Sequence, residues 1–255
     1  MSINAISSRD SYNNIYSQLS SGKRINKAAD DASGLAIGQK MHRNENGLSV
    51  GAQNVKDGMG ALNIADGAMD GMMDYLQRIR ELALRASNGI YSDSDRATFQ
   101  TEIDSLKEGI QSLAKNTTFN EQTLLDGSMA DMHIASNPNG GGLEIGMENT
   151  TLEALGIADF DVTSGNFDLS AIDNAMDRIS SARSSVGAYT NRLTHTYNFN
   201  LGASEEMTRS RSRIEDLDMP MAISEKKKED LLKQYRNLML RDTMNQKAMV
   251  MRLFE

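Results

Sequence analysis

An apolar residue recurs at every seventh position through the first third of the chain: Met41, Leu48, Val55, Leu62, Met69, Leu76 and Ala83. A second series, Ile172, Ile179, Val186 and Leu193, resumes at Met207 and Ile214. Seven residues is close to two helical turns, so each series is one stripe down a helix. Three positions on from these lie Ala65, Met72, Ile79 and Ala86 in the first series, and Ala175, Ala182 and Tyr189 in the second. They complete an a/d pattern whose natural burial is against another helix, and the alanines permit close approach. A helix from Gly34 to Ala86 would be about 80 Å long at ~1.5 Å rise per residue, far longer than a globular domain of this size needs. The chain is therefore expected to be mainly α, an elongated helical coiled-coil rod.

Only 5% of the residues are aromatic and there is no Trp, so Leu, Ile, Met and Ala must fill the core. Seventeen Met residues suit interfaces that tolerate imperfect fit, although Met also replaces Leu in ordinary helices. A net charge of -8, with no aromatic-plus-basic cluster, opposes binding to phosphate backbones, so no nucleic acid is expected as a partner. The basic run Lys226, Lys227 and Lys228 is followed by Glu229 and Asp230 and reads as the solvated start of a helix. Absence of cysteine suits either a cytoplasmic protein or an exported one. No stretch has signal-peptide or membrane-span character, so membrane insertion is not expected, and any export would not be Sec-type with cleavage.

Along the chain, Tyr12, Ile15 and Leu19 form a short amphipathic segment broken at Ser20-Ser21-Gly22. Asp30 and Asp31 suit the positive end of the long helix that follows. Gly51, Gly58, Gly60, Gly67 and Gly71 lie within that helix at roughly 1 kcal/mol each relative to Ala, a cost offset most simply by close helix packing. Asn88-Gly89 ends it, and Ser92 or Asp93 caps the next. There Phe99, Ile103, Leu106, Ile110 and Leu113 alternate at four and three residues, so this helix can fold back antiparallel on the first. The period then changes. Met132 and Ile134 alternate with polar residues, a turn follows from Asn137 to Gly142, and Leu143, Ile145 and Met147 alternate again, which predicts a β-hairpin. A third long helix is expected from Asp168 to about Leu217 and a last one from near Ser224. Toward the C-terminus Leu240, Met244, Met249, Val250, Met251, Leu253 and Phe254 spread over more than one helical face, and contact with other copies is the physical inference.

His42, His133 and His195 are scattered, with neither an HExxH pair nor a carboxylate at zinc spacing, so no metal site and no histidine triad are indicated. Gly22-Lys23 lacks the upstream glycine and the hydroxyl residue of a phosphate-binding loop. No catalytic residue and no cofactor site is assigned, and the chain reads as a non-enzyme.

The string LSSGKRINKAADDASGLAI at Leu19 to Ile37, with LNIADGAMD at 62–70 and LQRIRELALRASNG at 76–89, closely resembles bacterial flagellins. The likeness continues through TEIDSLKEGI at 101–110, TTFNEQTLLDGS at 117–128, IDNAMDRISSARSSVGAYTNRLTHT at 172–196 and SRIEDLDM at 212–219, in the family's order. It implies an extracellular filament in which paired termini form an inner coiled-coil tube and adjacent helices plus a β-hairpin form an outer layer. On that plan residues 1–33 are the N-terminal segment of the inner domain and its connecting loop, and 34–123 the two antiparallel helices of the rod domain. Residues 124–167 are its hairpin and loops, 168–217 its third helix, and 218–255 the C-terminal helix of the inner domain. With so short a segment between Leu124 and Asp168, the chain resembles a minimal flagellin without the variable outer domains. Two departures stand out. Only 18 residues precede the LSSG string, so the N-terminal half of the inner coiled coil is expected to be short or differently packed. Pro220 follows the DLDM string, and without an N–H it favours a helix start or break there.

The resemblance further implies export unfolded through the flagellar type III apparatus, without a cleaved signal peptide. It implies as partners other copies of the chain in a helical homopolymer, an export chaperone on the C-terminal segment, and capping and hook-associated proteins. In flagellins that stimulate Toll-like receptor 5, the receptor reads a QRIREL-type string and a glutamate on the antiparallel helix, here Arg78, Ile79, Arg80, Glu81, Leu82 and Glu102. In the heptad Arg78, Glu81 and Arg85 fall off the seam and Leu82 flanks it at the edge of a charged face; the same face also suits contact with the next subunit. The seam itself is carried by Leu62, Met69, Leu76, Ile79, Ile103, Leu106, Ile110, Ile172, Ile179, Val186 and Leu193. Two other readings remain open: a hook–filament junction protein, and a secreted, non-polymerising rod that binds a host receptor.

Overall fold

The computed structural model describes residues 13–164 and 167–252, with side chains as far as Met249. Tyr12, Leu253 and Phe254, and the side chains of Val250 and Met251, lie outside the described residues. In chain order the elements are helix α1 (13–21), α2 (Ala32–Ala86), α3 (Asp93–Asn116), strands β1 (Thr118–Phe119), β2 (Gln122–Thr123), β3 (Asp131–Ala135) and β4 (Gly142–Gly146), the one-turn α4 (Leu152–Leu155), α5 (Ser170–Glu215) and α6 (Met219–Arg252). The three long helices α2, α5 and α6 run 55, 46 and 34 residues.

Side-chain caps set where these helices begin. Asp31 Oδ1 accepts the Gly34 N–H at 2.8 Å, capping α2. Its neighbour Asp30 instead accepts the N–H groups of Asn26 and Lys27 at 3.0 and 2.9 Å, shaping the preceding loop, and these donors hold its carboxyl below the usual range. Ser92 caps α3 with a reciprocal box: its hydroxyl accepts from the Asp95 N–H and Asp95 accepts from the Ser92 N–H. Helix α6 starts at Met219, earlier than the expected Ser224, because Asp218 Oδ1 accepts the Met221 N–H at 3.2 Å. Pro220 therefore opens the helix, where its missing N–H costs no helical bond.

The chain forms two compact units, one of residues 1–45 with 205–255 and one of 46–204, and α2 and α5 contribute to both. In the first, the loop after α1 is zipped to the end of α5. Lys23 and Asp216 form an antiparallel bridge, Arg24 N donates to Glu215 O at 2.6 Å, and Leu217 N donates to Gly22 O at 3.0 Å. The Glu215 carboxylate is buried beneath Lys23 and Arg211, at 3.2 and 3.6 Å, and a Cβ at Gly38 would collide with it. Arg211 also meets Glu45 at 3.1 Å, whose carboxyl is held below its ordinary pKa chiefly by the Thr208 hydroxyl.

In the second unit α3 lies antiparallel on α2. Contacts rise along one helix as they fall along the other: Gly71 with Leu113, Tyr75 with Gly109, Arg78 with Glu102. Helix α5 lies antiparallel on α2 in the same way, Met59 meeting Thr194, Asp70 meeting Arg183 and Arg80 meeting Asp173. Between them the heptad seams close. Leu62, Met69, Leu76, Ile79, Ile103, Ile110, Ile172, Ile179, Val186 and Leu193 are buried, and Leu106 is half-buried against the same core. Of the extensions, Met41, Met207 and Ile214, in the first unit, are only half-buried.

The expected hairpin is β3–β4, with Met132 opposite Ile145 and Ile134 opposite Leu143. Those four face inward while the residues between them face solvent, as period-two alternation demands. Its turn is closed by the Gly140 N–H donating to Asn137 O at 3.0 Å, with Gly140 in the left-handed region at φ +80°. A second, shorter hairpin, β1–β2, turns through Asn120 and Glu121, both at positive φ. Sequence patterning missed it because left-handed turn positions are usually signalled by glycine, and Glu121 gives no such signal.

Two of the helix glycines serve a neighbour beyond the helix packing expected of them. Cβ atoms at Gly51 and Gly58 would strike the β3 side of the hairpin, at the Ser136 carbonyl and the Ile134 side chain. Asn54, on the same side of α2, donates to Ala135 O at 2.9 Å. Gly51 and Gly71 also face other helices, with Asn200 Nδ2 of α5 at 3.1 Å and Leu113 Cδ1 of α3 at 3.4 Å from such a Cβ, and Gly67 faces nothing within 4 Å. The tightest approaches, at Gly51 and Gly58, are thus to the β-hairpin, which comes this close to a helix only where side chains are missing.

Candidate functional site

The charged face singled out in the sequence is built where α2 and α3 run antiparallel. Arg78 Nη2 lies 2.7 Å from Glu102 Oε1 across the pair, and its Nη1 lies 3.2 Å from Glu81 Oε2 one turn along α2. Donation to Glu102, and then to Glu81, raises the Arg78 pKa, so this guanidinium stays charged at every physiological pH. The three side chains are 40–60% exposed, so they present an alternating acidic and basic patch to solvent.

Arg80 is not part of that patch. It points to α5, where Nε donates to Asp173 Oδ1 at 2.7 Å, and this bond raises its pKa in turn. Ile79 and Leu82 are each 1% exposed and belong to the core. The expectation that Leu82 edges a charged face is therefore corrected: it belongs to the buried core cluster, which heptad spacing on α2 alone does not register. Of the six residues, Arg78, Glu81 and Glu102 come together as a surface, Arg80 forms a separate ion pair, and Ile79 and Leu82 support both from beneath.

Arg183, absent from the sequence-based list, forms a comparable clamp between α5 and α2. Its Nε lies 2.9 Å from Asp66 Oδ1 and its Nη1 2.6 Å from Asp70 Oδ1, and its pKa is raised chiefly by the bond to Asp66. The i,i+4 spacing of Asp66 and Asp70 is the signal that could have found it, since both carboxylates then face one partner.

The longest run of exposed positions among the described residues is on α6. Every described residue from Leu231 to Met249 is exposed, and the apolar ones among them include Leu231, Tyr235, Leu238 and Met244 at 62–69%. At about 100° per residue these do not share one face. Near its start α6 is anchored by Ala222, which is buried, and by Lys226, whose Nζ sits 4.4 Å from the centroid of the Tyr16 ring of α1. No helix among the described residues is long and apolar enough to cross a membrane.

Among the described residues, α6 is thus a long helix with exposed apolar side chains on more than one face, and comparison with known proteins says which family builds such a chain. Residues 1–130 match the bacterial flagellin N-terminal helical region and residues 169–254 the bacterial flagellin C-terminal helical region. The chain is 36% identical to a flagellin of Halalkalibacterium halodurans, covering 92% of this chain and 89% of the relative. It is 36% identical to a flagellin of Bacillus subtilis, covering 92% and 90%. A flagellar filament core protein of Brachyspira hyodysenteriae is 34% identical, with 91% and 88% covered. Among solved structures, Bacillus cereus flagellin superposes with a TM-score of 0.52 at 27% identity, covering 58% of this chain and 88% of that one. The two matched regions leave only residues 131–168 between them, so the variable outer domains have no counterpart here. The chain belongs to the bacterial flagellin family, as a minimal member of it.

Proposed function

We propose that this chain is a structural subunit of the bacterial flagellar filament, assembling outside the cell into a helical homopolymer that serves motility. The observation that carries the reading is α6, whose exposed apolar residues gain free energy only when other helices cover them. Its work is polymer mechanics rather than turnover. The reading includes passage through the flagellar type III apparatus, an export chaperone that shields the C-terminal segment before assembly, and contact with capping and hook-associated proteins. It also includes recognition of free subunits by Toll-like receptor 5 through the exposed Arg78, Glu81 and Glu102, a face that subunit contacts would cover in the polymer.

Electron microscopy of purified monomer, incubated with a precipitating salt and short filament seeds, tests the assembly step. Long filaments are expected. Persistent monomer beside competent control seeds would instead favour a hook–filament junction protein or a secreted receptor-binding rod.

A further inference from the structure

We propose that the exposed methionines of α6 are oxidation sites that gate assembly, so that a peroxide converts a free subunit into one that no longer polymerises. Among the described residues five methionines are exposed, and all five lie on this helix: Met219, Met221, Met239, Met244 and Met249, at 42–69%. Met69, Met72 and Met147 are buried in the core of the second unit, at 1%, 0% and 8%. Oxidant therefore reaches α6 first, because the thioether sulfur must itself meet the peroxide.

The step balances simply. A sulfur lone pair attacks one peroxide oxygen, the O–O bond breaks, and that oxygen stays on sulfur as a sulfoxide while the other leaves as water. Sulfur loses two electrons and the peroxide gains them. The product turns a flexible apolar side chain into a polar one with a strong acceptor oxygen. In solution that oxygen is hydrated. Packed against a neighbouring apolar helix it loses its water and finds no donor, so association of the modified helix is disfavoured. Position around the helix makes the effect hard to evade. At about 100° per residue Met221 and Met239 share one face while Met219 and Met244 lie on roughly the opposite one, so rotation of α6 cannot hide them all. The link to assembly rests on the filament reading. The reaction is a gate on entry, because packing that covers α6 also shields its sulfurs, and it is reversible by thiol-dependent sulfoxide reduction.

The test treats full-length monomer with graded hydrogen peroxide, maps sulfoxides by peptide mass spectrometry, and follows seeded elongation by sedimentation. The α6 methionines are expected to oxidise before Met69 and Met72. Elongation is expected to slow at least tenfold and to recover after treatment with methionine sulfoxide reductase. A variant carrying Leu at positions 219, 221, 239, 244 and 249 should elongate equally well with and without peroxide; if it does not fold, reductase rescue of the unaltered chain decides. Equal oxidation of core and α6 sulfurs, or normal elongation by chains fully oxidised on α6, overturns the proposal. Failure of untreated monomer to elongate would overturn the filament reading and the gate with it, while the peptide map still reports which sulfurs react.

Discussion

Gly51 lies directly against the carbonyl oxygen of Ser136, so that a Cβ on the helix residue would occupy the space of the hairpin backbone. Backbone cannot swing aside as a side-chain end can. Gly51→Ala is expected to destabilise the monomer by about 1–2 kcal/mol, overpacking outweighing the better helix propensity of Ala. Gly67→Ala, with nothing within 4 Å, should have the opposite sign. It should stabilise the monomer by about 0.5–1 kcal/mol. Urea unfolding of the two variants distinguishes them, and equal effects would contradict this account of the glycines.

Leu82 and Arg78 are one helical turn apart and should respond oppositely to truncation. Leu82→Ala removes a core side chain and should cost about 2–5 kcal/mol. Arg78→Ala, at an exposed ion pair, should leave the unfolding midpoint in place and weaken binding of monomer to Toll-like receptor 5. Undiminished binding, measured by surface plasmon resonance, would remove the receptor assignment of this face.

Arg183 touches two carboxylates of α2 at 2.9 and 2.6 Å with its side chain 32% exposed. Arg183→Ala is expected to lower stability by about 0.5–1 kcal/mol, less as salt is added. Arg183→Lys should recover only part, since an ammonium cannot reproduce the planar fork. Thermal unfolding at low and high ionic strength reads both effects.

Asp95 receives donors from the Ser92 hydroxyl and N–H, which lower its pKa in the folded chain. The contribution of a carboxyl so depressed is fully present above its unfolded pKa and is lost as pH falls through the folded one. Stability should therefore hold from neutral pH down to about 5 and decline below about 4, as Asp30, Asp126, Asp161 and Asp168, depressed by similar hydrogen bonds, protonate too. Ser92→Ala should cost about 1 kcal/mol and return the Asp95 titration, followed by NMR, toward the ordinary carboxylate range.

Much of this was legible in the chain itself, for reasons visible at particular residues. Leu62, Met69 and Leu76 are buried because a seven-residue repeat leaves an α-helix one consistent inner face. Met132, Ile134, Leu143 and Ile145 face inward because strand residues alternate. The Asx and Ser caps are local chemistry, readable within four residues. Flagellin family strings spread over nearly the whole length did the rest. Apart from the β1–β2 hairpin, whose turn at Asn120 and Glu121 carries no glycine, and the earlier start of α6, what stayed hidden was contact between segments distant in sequence: Gly58 against Ile134 and Arg183 against Asp66 and Asp70.

Periodicity and capping thus determined most of the helices, the β3–β4 hairpin and which stripe on each is apolar, since both arise from the geometry of a few consecutive residues. Only tertiary structure decided which polar residues remain a surface and which α2 glycines admit the hairpin. It also decided that the described residues of α6 from Leu231 to Met249 stay exposed. Those outcomes depend on what another segment places within a few ångströms, and one-dimensional spacing carries no distance of that kind.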